Sequence, residues 1–377
     1  MLYWLLYEKL YPAVTPFRVF RYVTTRAMLA SLTSLFLCVL LGPWLIRKLR
    51  EFQIGQHIRE DGPQSHQKKA GTPTMGGVLI VISIVVPALL WADLGEAYVW
   101  IAVFALVSFA IIGFIDDYAK VMNRRNLGLT GWQKFGMQMF VAALITGVLA
   151  IMQYYRAYTT TLNVPFLKSF QPDLLIHALM GNPFTYAFAF LPFYLFFVFV
   201  VVGSSNAVNI TDGLDGLAIG LMVIAAGALT LLAYTSGNRE LATYLLLERN
   251  PRTAELTIFC ASMTGASLGF LWWNAHPADI FMGDVGSLAL GGAMGVVAVL
   301  IKQEILLIFI AGMFVIEMLS VILQVGSYKI RKKRIFKMAP IHHHFEALGW
   351  PESKIIARFW IAGLVLALFA LTTLKLR

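Results

Sequence analysis

Two short stretches of the sequence place carboxylates directly beside long apolar runs. Asp116 and Asp117 stand in "GFIDDYAK", and Asp284 stands in "FMGDVGS". A carboxylate at the edge of an apolar run is costly and usually functional. Adjacent helical residues point about 100° apart, so one acid of the pair could hold a metal while the other faces a substrate. A cation shared with Asp284 is plausible, and Mg²⁺ suits carboxylates with phosphates; the alternatives are a helix end paired with Lys120 and a helix cap at Asp284.

The stretch "NAVNITDGLDG" carries a second set of polar side chains. Asn209, Asp212 and Asp215 recur every three residues, which puts them roughly on one helical face. Amide and carboxylate groups there could hydrogen-bond a nucleobase or the hydroxyls of a ribose. The alternative for Asp212 is a helix cap, because aspartate is favoured at that position.

The stretch "KKAGTPTMGG" opens an apolar run with glycines and threonines, among them Thr74. Free N–H groups at a helix N-terminus attract anions, and Lys68 and Lys69 add positive charge. This pattern is typical of phosphate binding, but basic residues beside a membrane helix also occur simply to set its orientation. Both interpretations stay open on the sequence alone.

Near the C-terminus, "MAPIHHHFE" places His342, His343 and His344 in succession. Three consecutive side chains of a helix cannot converge on one ion as zinc ligands do. Imidazole can donate hydrogen bonds to phosphate oxygens at neutral pH. We therefore favour a phosphate-side role for the triplet, with a solvated polar loop as the alternative.

Composition places these stretches in a membrane protein. The chain of 377 residues is 59% hydrophobic and 13% charged, whereas soluble domains carry about 25% charged residues. Apolar runs recur to the end of the chain, so residues 1–377 are predicted to form a single polytopic domain. The formal net charge of +10 lies in the connections between these runs, where it sets orientation and gives no reason to expect nucleic-acid binding.

The fold class predicted is an all-α integral membrane protein, a bundle of ten transmembrane helices. Each candidate has close to the 20 apolar residues that a spanning helix needs. The predicted spans are 23–46, 74–92, 98–116, 134–153, 186–206, 215–235, 254–273, 285–301, 305–327 and 355–374.

Loop charges orient the predicted bundle. Lysine and arginine concentrate in the connections after the first, third and ninth spans, which the positive-inside rule assigns to the cytoplasm. Both termini are then periplasmic, with an interfacial N-terminal segment at 1–21, a periplasmic loop at 154–185 and a cytoplasmic loop at 328–354. Every polar stretch described above falls on the cytoplasmic face, so the active site is predicted there.

Two classes of function compete for this pattern. An enzyme that moves a phosphoryl-linked group onto a lipid explains acids and cations gathered at one membrane edge. A secondary transporter would concentrate polar residues near the midplane on broken helices, within inverted repeats, which the sequence does not show. Soluble nucleotide-binding folds are excluded because neither GxGxxG nor GxxxxGK[ST] occurs.

The five stretches together resemble the phospho-N-acetylmuramoyl-pentapeptide-transferases of the polyprenyl-phosphate hexosamine-1-phosphate transferase superfamily. The paired acids are shared across that superfamily, and "PIHHHFE" is the more specific mark of this branch. The resemblance implies an enzyme of the bacterial inner membrane that requires Mg²⁺ and often forms homodimers. Its implied substrates are UDP-N-acetylmuramoyl-pentapeptide and undecaprenyl phosphate, and its products are lipid I and UMP. A related polyprenyl-phosphate UDP-N-acetylhexosamine-1-phosphate transferase is the nearest alternative.

The resemblance also implies roles for individual residues. Asp284 resembles the principal Mg²⁺ ligand, with Asp117 close to the metal, and Asp116 resembles the base that deprotonates the lipid phosphate. A single displacement at phosphorus is favoured over a double displacement through an aspartyl intermediate. The residues implied around the donor are Lys69, Thr74, Asn209, Asp212, Asp215, Asn274, His342, His343 and His344.

Overall fold

The computed structural model describes residues 1–52, 71–122, 128–165, 167, 170–181, 183–245, 247 and 249–375. Within these ranges the chain forms helices joined by loops, and no β-strand occurs. Helices satisfy every backbone N–H and C=O inside one segment, which is what a lipid environment demands. The predicted all-α class is confirmed for this part of the chain.

Ten long helices lie within the described ranges, and each of the ten predicted spans corresponds to one of them. Shorter helical segments lie at the chain's start and in several connections. The long helices are α1 Val23–Glu51, α2 Gly77–Trp91, α3 Ala97–Met122, α4 Gly131–Tyr154, α5 Leu191–Thr211, α6 Leu217–Gly237, α7 Thr253–Asn274, α8 Gly283–Leu300, α9 Gly312–Arg331 and α10 Glu352–Thr372.

Nine helices in the described ranges are long and apolar enough to cross a membrane. The tenth, α2, has 15 residues and is about 22 Å long, against a hydrocarbon thickness of about 30 Å. The predicted span 305–327 is divided, because a short helix, Leu307–Ile310, precedes α9. The count of ten crossings and the orientation of the termini therefore remain predictions.

Helix α8 lies at the centre of the bundle and positions the candidate site. Every residue from Val285 to Leu300 is buried, and α8 packs against α3 and α5. A Cβ on Gly113 of α3 would lie 2.1 Å from the carbonyl oxygen of Asp284, so only glycine permits this approach. The contact sets Asp284 beside the residues one turn further along α3.

A buried ion pair joins three helices at the opposite end of the bundle. The two terminal nitrogens of the Arg26 guanidinium each donate to a carboxylate oxygen of Glu255 at 2.7 Å. Arg26 also donates to the carbonyl of Trp91 at 3.1 Å, and the N–H of Asp93 donates to Glu255 at 2.8 Å. The pair thereby links the starts of α1 and α7 to the end of α2.

Replacing Arg26 with methionine is expected to lower the free energy of unfolding by about 3–5 kcal/mol, because Glu255 would remain as an unpaired buried charge. Thermal unfolding in detergent measures the loss. A double variant that adds Glu255→Gln should recover part of the stability, since no charge is then buried. Equal stability of Arg26→Met and wild type would show that the pair does not hold these helices together.

Candidate active site

Paired backbone segments join the starts of α2 and α8. The N–H of Phe281 donates to the carbonyl of Pro73 at 2.8 Å, and the N–H of Gly76 donates to the carbonyl of Phe281 at 2.9 Å. This pairing brings Thr74 beside Gly283, whose ideal Cβ position lies 3.0 Å from the Thr74 hydroxyl oxygen. The structure therefore places the predicted Thr74 next to the loop that carries the acid of α8.

Three carboxylates converge where α3 meets α8. Asp116, Asp117 and Asp284 each offer an oxygen within 4.8 Å of the other two. Asp116 and Asp117 are buried, and the Asp284 side chain is 13% exposed. Oδ1 of Asp116 accepts the N–H of Leu129 at 2.8 Å, and Oδ2 of Asp117 accepts the N–H of Val285 at 3.2 Å. Both paired acids are thus held by backbone donors outside α3.

Two lysines complete this cluster. The predicted span 98–116 ends at Asp116, but helix α3 continues beyond the apolar run to Met122. Lys120 on this extension lies 2.6 Å from Asp116 and 3.1 Å from Asp284. Lys134 of α4 lies 2.6 Å from Asp284 and 3.3 Å from Asp116. Three carboxylates facing two ammonium groups leave a formal charge of −1, which favours a further cation.

The donor set of the cluster fits Mg²⁺. Carboxylate oxygens are its preferred protein ligands, and two oxygens sharing one ion at about 2.1 Å lie at most about 4.2 Å apart. The three acids lie within 4.8 Å of one another, so small side-chain rotations bring them to that spacing. A bound ion would neutralise charge on a diphosphate.

The end of α5 carries the second set of predicted residues. Oδ1 of Asn209 accepts a hydrogen bond from the hydroxyl of Ser287 on α8 at 3.2 Å. Asp212 caps α5. Its pKa is raised to about 8, because the surrounding protein removes water from it and the carboxylates of Asp284 and Asp117 add negative charge. A protonated carboxyl can donate a hydrogen bond as well as accept one.

Asn274 is the last residue of α7, and both the oxygen and the nitrogen of its side-chain amide form hydrogen bonds. Its oxygen accepts the N–H of Gly216 at 3.0 Å, and its nitrogen donates to the carbonyl of Ile280 at 2.8 Å. The side chain is buried. The structure shows Asn274 shaping the loops around the site, while direct contact with a substrate stays a prediction.

Asp215 belongs to a second cluster, with His276 and Glu352. The ligand-type atoms of the three residues also lie within 4.8 Å of one another. Nδ1 of His276 lies 3.1 Å from Asp215, and Glu352 accepts the N–H of Asp215 at 3.0 Å. These hydrogen bonds account for the cluster without an ion, and they tie the start of α6 to α10 and to the loop before α8.

The histidine triplet lies on a short helix, Ile341–Glu346, which we call the histidine helix. His342 is completely buried, whereas His343 and His344 are partly exposed. His343 hydrogen-bonds to the glutamate that ends the helix, and His344 accepts the backbone N–H of Lys337 at 3.1 Å. The imidazoles turn to different partners, in agreement with the argument against a shared transition metal.

The chain is similar in sequence to known proteins over its whole length. Residues 99–302 match the family model of glycosyl transferase family 4, and residues 69–81 match signature 1 of phospho-N-acetylmuramoyl-pentapeptide-transferase. Proteins bearing the latter name from Solibacter usitatus, Koribacter versatilis and Acidobacterium capsulatum are 71%, 66% and 64% identical to this chain, each over the whole of both sequences.

The chain belongs to the phospho-N-acetylmuramoyl-pentapeptide-transferase family. The predicted family is therefore confirmed. Its matched signature begins at Lys69, which lies outside the described residues, and includes Thr74, which the structure places beside Gly283.

Three residues of the two clusters are not predicted as site residues from the sequence: Lys134, His276 and Glu352. Lys134 has a local signal: it lies in the first turn of α4, just after the cap formed by Thr130 and Gln133. A lysine is unfavourable near a helix N-terminus, but the signal is weak because basic residues at the ends of membrane helices also occur simply to set orientation. His276 and Glu352 have no such signal, because their partner Asp215 is distant in the chain.

Proposed function

We propose that this chain transfers phospho-N-acetylmuramoyl-pentapeptide from its UDP-linked donor to undecaprenyl phosphate, giving lipid I and UMP. The observation that carries the proposal is the cluster of three carboxylates and two lysines at one end of a bundle of apolar helices. Such a site suits a diphosphate accompanied by Mg²⁺. Its place at the end of the helices suits an acceptor whose phosphate lies at the membrane edge. Family membership supplies the identity of the two substrates.

In this proposal Asp284 and Asp117 would hold Mg²⁺, and Asp116 would take a proton from the lipid phosphate. The bound ion supplies charge neutralisation on the diphosphate. Lys120 and Lys134, which contact the acids directly, are placed to exchange those contacts for phosphate oxygens as the donor enters. The residues proposed around the nucleoside, phosphates and sugar are Lys69, Thr74, Asn209, Asp212, Asp215, Asn274, His343 and His344, and the buried His342 lies next to them in the chain.

The reaction we favour is a single displacement. An oxygen of the lipid phosphate attacks the β-phosphorus of the donor, and the bond from that phosphorus to UMP breaks. Undecaprenyl phosphate is already nucleophilic at neutral pH, so the chemistry requires mostly positioning and charge neutralisation. Buried carboxylates that are fixed by backbone donors, as Asp116 and Asp117 are, serve such positioning.

We also infer ten crossings of the bacterial inner membrane, with both termini periplasmic. The candidate site lies at the ends of α3 and α5 and at the starts of α4 and α8. If each of the ten helices crosses the membrane once, odd-numbered helices end and even-numbered helices begin on the same side, as these four do. Lysine and arginine concentrate in the sequence after α1, α3 and α9, so the positive-inside rule assigns this end to the cytoplasm. The family resemblance extends the proposal to a homodimer.

The direct test is release of UMP by purified protein in detergent, supplied with UDP-N-acetylmuramoyl-pentapeptide and undecaprenyl phosphate. Release should require Mg²⁺, stop on chelation and return when Mg²⁺ is restored, and it should be accompanied by the lipid product. A single displacement further predicts no burst of UMP when undecaprenyl phosphate is omitted. A stoichiometric burst would instead support the aspartyl intermediate.

The control is UDP-N-acetylglucosamine, which shares the nucleotide but lacks the lactyl-pentapeptide. Faster turnover with this donor would favour the related hexosamine-1-phosphate transferase. A folded protein that turns over neither donor would contradict the transferase assignment for this chain.

A further inference from the structure

A second buried carboxylate lies away from the acid cluster, on α9. Glu317 is completely buried, and one of its carboxylate oxygens lies 3.1 Å from Nδ1 of His342, which is also completely buried. Among the residues that the structure describes, no hydrogen bond is formed by the side-chain oxygens of Glu317 or the ring nitrogens of His342, so the ion-pair contact at 3.1 Å is what links the two groups. The pair joins α9 to the histidine helix.

Because both side chains are buried, the stability of the Glu317 carboxylate and the orientation of the His342 ring depend on each other. An isolated ionised carboxylate in a protein interior is strongly unfavourable unless it is paired and hydrogen-bonded. A carboxylate facing Nδ1 favours the tautomer with its proton on that nitrogen, and it also fixes the orientation of the ring. Glu317 therefore determines where the opposite ring nitrogen, Nε2, points.

That nitrogen faces the turn between α5 and α6. A Cβ on Gly213 would lie 2.4 Å from Nε2 of His342, so the imidazole occupies the space that any side chain at 213 would need. Gly213 lies between Asp212 and Asp215, two of the residues proposed to bind the donor. The imidazole of His342 thus lies between the Glu317 carboxylate on α9 and the backbone of residues 212–216, which we call the 212–216 turn.

We propose that Glu317 is a positioning residue that acts through His342 to hold the 212–216 turn in its donor-binding shape. The proposal rests on the proposed function for the identity of the donor. In this proposal His342 packs against the backbone of the 212–216 turn and does not contact the diphosphate. The sequence resemblance implied that it would contact the diphosphate or sugar. The substrate contacts of the triplet are left to His343 and His344, the two partly exposed imidazoles.

The kinetic test compares Glu317→Ala, Glu317→Gln and wild type. Glu317→Ala is expected to raise the KM for the UDP-linked donor about tenfold, the scale of outer-shell contacts, and to leave the KM for undecaprenyl phosphate within about twofold. Glu317→Gln should restore most of the donor KM, because its amide oxygen can take the place of the carboxylate oxygen that faces Nδ1. Gly213→Ala should raise the donor KM with Glu317 intact, because the new methyl displaces the imidazole.

Ser320→Ala is the matched control. Ser320 is buried on the same helix, and its hydroxyl donates to the backbone carbonyl of Glu317 at 2.7 Å, so its loss leaves the carboxylate and His342 in place. Both KM values should match wild type. An equal rise of both KM values in Glu317→Ala, with no recovery in Glu317→Gln, would overturn the positioning role.

Hydrogen exchange without substrates separates this proposal from the assigned reaction. Glu317→Ala should speed amide exchange in peptides covering 212–216 and 341–346, whereas Ser320→Ala should not. Unchanged exchange at 212–216 would refute the coupling even if activity falls. If the wild-type protein turns over no donor, the transferase assignment fails, but the exchange measurement still decides whether Glu317 holds the turn.

Discussion

Asp284→Asn is expected to lower kcat by about 10³-fold at saturating concentrations of both substrates. The substitution keeps the shape of the side chain but removes the negative charge that faces Lys120 and Lys134 at 3.1 and 2.6 Å. It also removes one of the two proposed Mg²⁺ ligands. Half-maximal activity should therefore require a higher Mg²⁺ concentration, which a titration of UMP release against Mg²⁺ measures.

Asp173→Asn provides the control for Asp284→Asn. Asp173 lies in the long loop between α4 and α5, accepts a hydrogen bond from the Thr160 hydroxyl and lies 3.0 Å from Nε2 of His177, so its replacement should change neither kcat nor the Mg²⁺ dependence. Near-normal turnover by Asp284→Asn, with an unshifted Mg²⁺ titration, would place the metal elsewhere. Thermal unfolding of both variants separates a loss of chemistry from a loss of folding.

Lys134→Met is expected to lower kcat/KM for the UDP-linked donor by about 10²-fold, because the diphosphate loses a cation that stabilises it in the transition state. The same change should lower the Mg²⁺ concentration needed for half-maximal activity. Lys134 competes with any cation for Asp284 and Asp116, which lie 2.6 and 3.3 Å from its ammonium group. Activity and apparent Mg²⁺ affinity should thus move in opposite directions.

The Mg²⁺ dependence of Lys134→Met activity distinguishes two roles for Lys134. If the ammonium only balances the carboxylates, a high Mg²⁺ concentration should restore full activity to Lys134→Met. If it also binds the donor phosphates, kcat/KM should stay low at every Mg²⁺ concentration. Lys134→Arg keeps the charge in a different geometry and should retain more activity than Lys134→Met. Full recovery of Lys134→Met by Mg²⁺ would contradict the phosphate contact.

The prediction of helices succeeded because its signals are local. A run of about 20 apolar residues indicates a spanning helix wherever it occurs, and every predicted span corresponds to a helix in the structure. The ends were less predictable, because a helix continues past its apolar part where polar side chains reach water or neighbouring groups. Thus α3 runs beyond Asp116 to Met122 and carries Lys120 into the site.

The site residues likewise divide into those that local sequence signals predict and those that depend on how the helices pack. Asp116, Asp117 and Asp284 were identified because carboxylates beside apolar runs are costly, and the structure brings all three together. The triplet of histidines was treated as one feature, but its members separate: His342 is completely buried against Glu317, while His343 and His344 are partly exposed. Burial depends on helix packing, which the order of residues does not reveal.

The sequence by itself determined the helical membrane class, the family and three carboxylates that the structure brings together at one end of the bundle. Hydrophobic length, loop charge and short motifs carry that information within segments of the chain. Only the tertiary structure decided which charges meet. Lys134 and Asp284 are 150 positions apart and form an ion pair, because close packing of α3 on α8 at Gly113 sets the distances between helix ends.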